Sequence, residues 1–276
     1  MLGRRGFLQG MLAVGVGVLA PGGPGRAAEP LEAVVLADAA TGQPLVRRGA
    51  CARPFTPAST FKVPLALMGF DAGILQDAHH PAWEYRPEFQ AQADRDKKTV
   101  DPTTWLRDSV VWYSQQVTRQ LGLPRFQGYV DLLDYGNRDL SGDPGKGDGL
   151  TRAWLSSSLA ISPDDQVRFV RRMLKGEFRV SQQARARTLS VMPVFEAGDG
   201  WRVYGKTGTG NLRDATGTLD PERPVGWFVG WARRGERCLA FARLQVPTGR
   251  SEEPMGPRVR AGFLRDLPRL VQGAEG

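Results

Sequence analysis

Histidine is nearly missing from this sequence of 276 residues, which contains only His79 and His80. These two residues are adjacent, so they lie on opposite sides of an extended chain or share a loop. Such a pair cannot build a histidine-based catalytic triad or a three-histidine zinc site. We therefore expect no catalytic metal. No glycine-rich phosphate loop follows a predicted strand, so nucleotide use has no support either.

Cysteine is equally scarce, with Cys51 and Cys238 as the two thiols. An even number permits one disulfide in an exported protein. Two independent free thiols agree with the sequence equally well, and it leaves this alternative open. Neither cysteine has a nearby histidine that would indicate thiol catalysis.

The apolar run near the N-terminus is too short to cross a bilayer. It extends from Met11 to Ala20, about ten residues, whereas a membrane helix needs about twenty. Arg4 and Arg5 precede it, a pattern typical of a twin-arginine export signal. We expect residues 1–28 to be a signal peptide and residues 29–276 to work in the periplasm, without membrane contact after cleavage. A retained N-terminal anchor is the alternative.

Acidic residues are outnumbered by lysine and arginine, 29 against 37, which gives a formal net charge of +8. The arginines are scattered among acids and do not alternate with aromatic residues along one face. This distribution indicates solvated surface and argues against a nucleic-acid partner. With 41% apolar residues, the chain can bury a full core as one large domain or two interleaved lobes.

The most informative motif is Ser59-Thr60-Phe61-Lys62. Its spacing sets a hydroxyl and an amine one helical turn apart, so the lysine can take the proton of the serine. An N-cap serine followed by a solvated lysine is the structural alternative, because Ser-x-x-Lys is common by chance. A second motif, Lys206-Thr207-Gly208, follows a predicted strand. It indicates an edge strand that presents a lysine beside a close backbone approach.

These two motifs together are typical of serine enzymes that recognise penicillin. Three elements between them narrow the family, a fourth includes the second motif, and a fifth follows it. In order, they are Ser109-Val110-Val111, Tyr135-Gly136-Asn137, Trp154-Leu155, Tyr204 to Gly208, and Trp227 to Trp231. From about Leu31 to the C-terminus, the sequence resembles the class D, oxacillinase-type serine β-lactamases.

The resemblance implies hydrolysis of β-lactam antibiotics through an acyl-enzyme on Ser59. Lys62, as a carbamate formed with carbon dioxide, would be the base, and no other cofactor is implied. Trp154 would donate a hydrogen bond to that carbamate, and Val111 would shield it. Ser109 would relay a proton to the lactam nitrogen, although a helix cap is its structural alternative. Trp154 could likewise be ordinary core.

The resemblance also implies a set of substrate-binding residues, namely Val111, Lys206, Thr207, Gly208, Thr209 and Arg258. The backbone N–H groups of Ser59 and Thr209 would stabilise the oxyanion. Lys206 and Thr207 would meet the substrate carboxylate, with Arg258 as the guanidinium partner. Arg250 and Arg260 lie close by in sequence and compete for this last role.

Hydrophobic periodicity predicts strands at both ends of the chain and helices in the middle. The predicted strands are 31–38, 43–47, 201–206, 225–232 and 237–245, and the predicted helices are 59–71, 109–121, 125–133, 164–174, 182–191 and 257–270. The expected fold is α/β, the mixed α+β fold of penicillin-recognising serine hydrolases. It has an antiparallel sheet from both termini, flanking helices and a helical lobe at about residues 70–195.

Two other functions share the main motifs. A penicillin-binding peptidase keeps its acyl-enzyme for long periods, and a β-lactam sensor domain binds the drug in order to signal. The Tyr-Gly-Asn element and Trp154 argue against the first, and sensors follow membrane helices that we do not expect here. The sequence does not reveal the preferred β-lactam group, or whether the protein is a monomer or a homodimer.

Overall fold

The computed structural model describes residues 29–214 and 216–274. The predicted signal peptide, residues 1–28, therefore lies outside the described residues. Within the described part of the chain, no helix has the length and apolar character needed to cross a membrane.

Six strands form one antiparallel sheet in the order β2-β1-β6-β5-β4-β3. The strands are β1 (Leu31–Asp38), β2 (Pro44–Gly49), β3 (Val194–Ala197), β4 (Trp201–Arg213), β5 (Leu219–Arg234) and β6 (Arg237–Val246). The N-terminal hairpin therefore pairs with the last strand of the chain, as the predicted sheet from both termini requires.

Seven helices are found among the described residues. They are α1 (Lys62–Asp71), α2 (Pro102–Asp108), α3 (Val111–Leu132), α4 (Gly149–Arg152), α5 (Pro163–Lys175), α6 (Gln182–Ser190) and α7 (Met255–Gln272). The first six lie between β2 and β3 in sequence. Gly122 has non-helical angles inside α3, so the two helices predicted for this region meet at a kink.

The sheet separates two hydrophobic cores. α7 packs on one face and buries Val259, Phe263 and Leu267 against strand residues such as Phe228 and Phe241. The larger core, on the other face, contains α1, α3 and α5. The Ser59 turn and β4 meet where this core reaches the edge of the sheet.

The two cysteines are free thiols. The Cys51 thiol contacts the carbonyl oxygen of Val34, and Val34 pairs with Arg243 in β6. Cys238 lies five residues away from Arg243 along that strand, roughly 17 Å at the usual rise. That separation excludes a disulfide within the chain.

Candidate active site

Ser59 lies in a tight 3₁₀ turn, Ala58–Phe61, directly before α1. The N-cap of this turn is Pro57 and that of α1 is Phe61, so the N-cap alternative for Ser59 is wrong. Ala58 has φ +48°, a left-handed conformation that a residue with a side chain adopts at a cost. Such local strain is common where a reactive group must be held in one orientation.

A buried hydrogen-bond network fixes the Ser59 turn. Thr60 Oγ1 donates to the carbonyl oxygen of Pro57 at 2.6 Å and accepts from Gln166 Nε2 at 3.0 Å. The Tyr135 hydroxyl donates to Gln166 Oε1 at 3.3 Å. Tyr135, from the Tyr-Gly-Asn element, therefore supports the nucleophile turn from behind.

Lys62 is fully buried, and its Nζ donates to Ser59 Oγ at 3.0 Å. Burial lowers the pKa of Lys62 well below its usual value, and the charge of Lys206 acts in the same direction. Asp96 opposes both effects. The neutral amine, which can accept a proton, is thus favoured beside the serine hydroxyl.

Aromatic side chains pack around Phe61, which lies between Ser59 and Lys62 in the chain. Phe61 stacks on Trp154 with ring centroids 5.4 Å apart, and its edge contacts Phe126 and Tyr135. Trp154 is 1% exposed. Its carbonyl oxygen accepts from Thr56 Oγ1 at 3.1 Å, which ties the Trp154 segment to the chain just before Ser59.

Ser109 lies in the segment between α2 and α3. It has φ +64° and ends α2, while α3 begins only at Val111. The prediction of a helix start at Ser109 was therefore wrong, and with it the helix-start cap alternative. The left-handed backbone directs the Ser109 hydroxyl to β4, where Lys206 Nζ donates to it at 2.9 Å.

Lys206 is a second buried lysine, 2% exposed. Burial lowers its pKa to about 7, and the charge of Arg260 adds to this effect. Ser109 Oγ and the carbonyl oxygen of Thr207 accept its hydrogen bonds. Near neutral pH this lysine therefore exchanges its proton readily.

Lys206, Thr207, Gly208 and Thr209 follow one another on β4. β3 pairs only with Trp201–Tyr204, so among the described strands this later stretch pairs on one side only, with β5. The prediction of a lysine on a free strand edge is confirmed for this stretch. Gly208 packs directly against the Ser59 turn, and Thr209 Oγ1 accepts from the backbone N–H of Gly256 at 2.8 Å.

These groups open into one cleft of about 760 Å³. Its walls bring together five of the ten predicted site residues, namely Ser59, Ser109, Val111, Thr207 and Thr209. Arg260 lines the cleft together with Pro257, which lies three residues earlier on the same face of α7, and with Pro254, the N-cap of that helix. Arg258 is exposed and does not share that face, so the structure favours Arg260 over the predicted Arg258.

Five charged residues of the cleft have no signal in the sequence motifs. They are Arg95, Asp96, Lys98, Arg107 and Asp108. Asp108 pairs with both Lys98 and Arg107. Asp96 and Asp108 lie twelve residues apart in sequence, and only the fold brings both into the cleft wall. Within residues 29–214 and 216–274, no cluster of three potential metal ligands occurs.

Comparison with known proteins gives one consistent result. Residues 32–267 match the family model of the penicillin-binding protein transpeptidase domain. β-Lactamase OXA-9 of Klebsiella pneumoniae is 47% identical over 88% of this chain and 89% of its own length. β-Lactamase OXA-1 of Escherichia coli is 37% identical over 76% of this chain and 74% of its own length. The crystal structure of the class D β-lactamase OXA-427 has a TM-score of 0.82 at 43% identity, covering 88% of this chain and 99% of that chain.

Proposed function

The chain belongs to the class D β-lactamases, which hydrolyse β-lactam antibiotics, and from this premise we propose that Ser59 is its nucleophile and Lys62 its base. The observation that carries the proposal is the 3.0 Å hydrogen bond between Lys62 Nζ and Ser59 Oγ. Because Lys62 is buried and its pKa is lowered, its side chain can hold the serine proton during attack.

In acylation, Ser59 Oγ bonds to the lactam carbonyl carbon while its proton moves to the Lys62 side chain. The backbone N–H groups of Ser59 and Thr209 donate to the carbonyl oxygen as it gains negative charge. When the carbon–nitrogen bond of the lactam breaks, Ser109 gives its hydroxyl proton to the nitrogen. Lys206, which donates to Ser109 Oγ, replaces that proton.

The surroundings of Lys62 fit a carbamate. Carbon dioxide adds only to a neutral amine, and burial favours that form of Lys62. Trp154 and Ser59 would hold the carbamate, and Val111 would screen it from the cleft. When formed, it supplies a base for the serine proton and for the deacylating water.

We propose that the substrate carboxylate binds to Lys206, Thr207 and Arg260 at the Gly208 end of β4. Arg260 lines the cleft, and its charge acts on Lys206, so the two cations are close enough to share one anion. Arg258 has no comparable contact with the cleft, and it becomes the natural control for Arg260.

We further propose that residues 1–28 direct export, so that residues 29–276 act in the periplasm as a monomer or homodimer. The paired arginines and the short apolar run of the sequence support this proposal. β-Lactams are the expected partners, with no nucleic acid.

Steady-state hydrolysis of a chromogenic cephalosporin tests the catalytic proposal. Continuous turnover is expected, and Ser59→Ala should abolish it. A single stoichiometric burst would instead indicate a long-lived acyl-enzyme, as in a penicillin-binding peptidase or a β-lactam sensor. Comparing penicillins, oxacillin, cephalosporins and carbapenems in this assay then gives the preferred substrate group.

A further inference from the structure

Asp96 is a buried carboxylate in the catalytic cleft that the chemistry above does not use. It ends a short 3₁₀ turn, Asp94–Asp96, and its side chain is 9% exposed. It lines the cleft together with Ser59 and Val111. The sequence motifs give no reason to expect an acid at this place.

The backbone of Asp96 is firmly held. Its carbonyl oxygen accepts from Trp112 Nε1 at 2.8 Å, and its N–H donates to the carbonyl oxygen of Ala93 at 3.0 Å. Trp112 is 1% exposed and stacks on Phe89. The carboxylate is therefore kept in the cleft wall by packing that is independent of its charge.

The Oδ1 atom of Asp96 is buried and has no hydrogen-bond partner. The Arg95 guanidinium lies 3.8 Å away, which is too long for a hydrogen bond, and the Arg95 side chain is 79% exposed. A buried carboxylate oxygen without a hydrogen bond costs free energy. Such a group calls for an explanation, and function is a common one.

Lys62 is the buried amine on which this carboxylate acts. Two charged groups influence Lys62, and they oppose each other: Lys206 from β4 disfavours the ammonium form, and Asp96 from the 94–96 turn favours it. The other charged residues of the cleft are Arg95, Lys98, Arg107, Asp108 and Arg260. Asp108 is already paired with Lys98 and Arg107.

We propose that Asp96 is a positioning residue that acts through Lys62, where it balances the ammonium form and limits how readily the amine takes up carbon dioxide. This inference rests on the proposed carbamate. In its formation, the Nζ lone pair bonds to the carbon of carbon dioxide, one carbon–oxygen π pair moves to oxygen, and one Nζ proton leaves to water. A nearby carboxylate opposes this change twice, since it stabilises the starting cation and repels the resulting anion.

The test titrates the full chain with ¹³C-labelled bicarbonate and follows the carbamate carbon by NMR. Asp96→Asn should reach half-occupancy at a bicarbonate concentration roughly three- to tenfold lower than wild type near pH 6, because each tenfold rise in neutral amine raises carbamate equally. Asp96→Glu, which keeps the charge, should restore the wild-type value. Asp96→Ala removes the charge by a second route and should change occupancy in the same direction as Asp96→Asn.

Asp94→Asn is the matched control, because it removes a carboxylate of the same turn that is 94% exposed and already paired with Lys97. It should leave the half-occupancy concentration unchanged. A second readout is the rise in melting temperature on adding bicarbonate, which should be larger in Asp96→Asn, since a ligand bound more tightly stabilises more.

The outcomes separate this inference from the proposal on which it rests. If wild type shows no carbamate resonance, both fall. If wild type shows it and neither Asp96→Asn nor Asp96→Ala lowers the half-occupancy concentration, only the role of Asp96 is overturned. The variants can also be compared on ampicillin, which carries an ammonium group, and on benzylpenicillin, which does not. If their preference between these two changes while carbamate occupancy does not, Asp96 contacts the substrate and the inference is overturned.

Discussion

A Cβ atom at Gly208 would lie 2.9 Å from the carbonyl oxygen of Pro57. Strand β4 therefore approaches the Ser59 turn so closely that a side chain does not fit between them. This contact joins the two principal sequence motifs, and it couples the position of the nucleophile to the strand that carries Lys206 and Thr209.

Gly208→Ala should lower kcat by about ten- to a hundredfold, because the turn must move to admit the methyl group and small displacements of a nucleophile are costly. Steady-state kinetics with a penicillin measure this loss. Gly128→Ala is the control, since a Cβ at that helical position meets nothing within 4 Å. Equal activity in both variants would show that the contact does not position Ser59.

Titration of Lys206 should make kcat/KM fall at basic pH. Its pKa of about 7 means that its positive charge is lost as the pH rises through that value. The kcat/KM for an anionic β-lactam should then fall about tenfold per pH unit above 7. Lys206→Arg keeps the positive charge above pH 7, so kcat/KM of this variant should no longer fall in that range. An identical fall in Lys206→Arg would assign the titration to another group.

Arg260 and Arg258 offer a matched comparison on one helix. Arg260→Ala should raise KM for a penicillin about tenfold, because a charge-assisted hydrogen bond to the carboxylate is lost. It should also move the basic limit of kcat/KM to higher pH, since Arg260 helps to lower the pKa of Lys206. Arg258→Ala should leave both values near wild type. The reverse pattern would restore the assignment made from the sequence.

Trp154→Phe keeps an aromatic ring against Phe61 but removes the indole N–H. If that group holds the Lys62 carbamate, the variant should need about tenfold more bicarbonate for full activity, because one hydrogen bond to a charged group is lost. Phe126→Leu removes bulk from the same cluster without removing a donor. A similar bicarbonate requirement in both variants would make packing the cause.

Most of the fold was predictable from the sequence, because the segments with strong hydrophobic periodicity are bounded by clear turn signals. The β5–β6 turn at Gly235 and the helices 163–175 and 182–190 lie within two residues of their predicted bounds. The β4–β5 hairpin extends further than predicted, to Arg213 and from Leu219. Its outer part contains glycine, proline and aspartate, which are poor strand formers taken alone.

Helix α2 was missed although Asp101 caps it by accepting from the Thr104 N–H and Pro102 opens it. Its seven residues are too few for a clear helical period. Strand β3 was missed for the same reason, because it has only four residues.

The motif residues of the site were predictable because their chemistry depends on local spacing, as for Ser59 and Lys62. Asp96 was not predictable, and Arg260 was predicted only as an alternative to Arg258. Asp96 reaches the cleft through a turn remote from every motif, and its position depends on Trp112, which holds its backbone. The choice between Arg258 and Arg260 depends on how α7 is rotated against the sheet.

The central claim is that the buried side chain of Lys62 takes the proton of Ser59. Intact-protein mass spectrometry of Lys62→Ala mixed with a penicillin tests it most directly, with Lys62→Met as a variant of similar bulk. Neither variant should form the acyl-enzyme on the timescale of wild-type turnover, and kcat/KM should fall about a thousandfold or more. Rapid acylation and near-normal hydrolysis in either variant would contradict the claim.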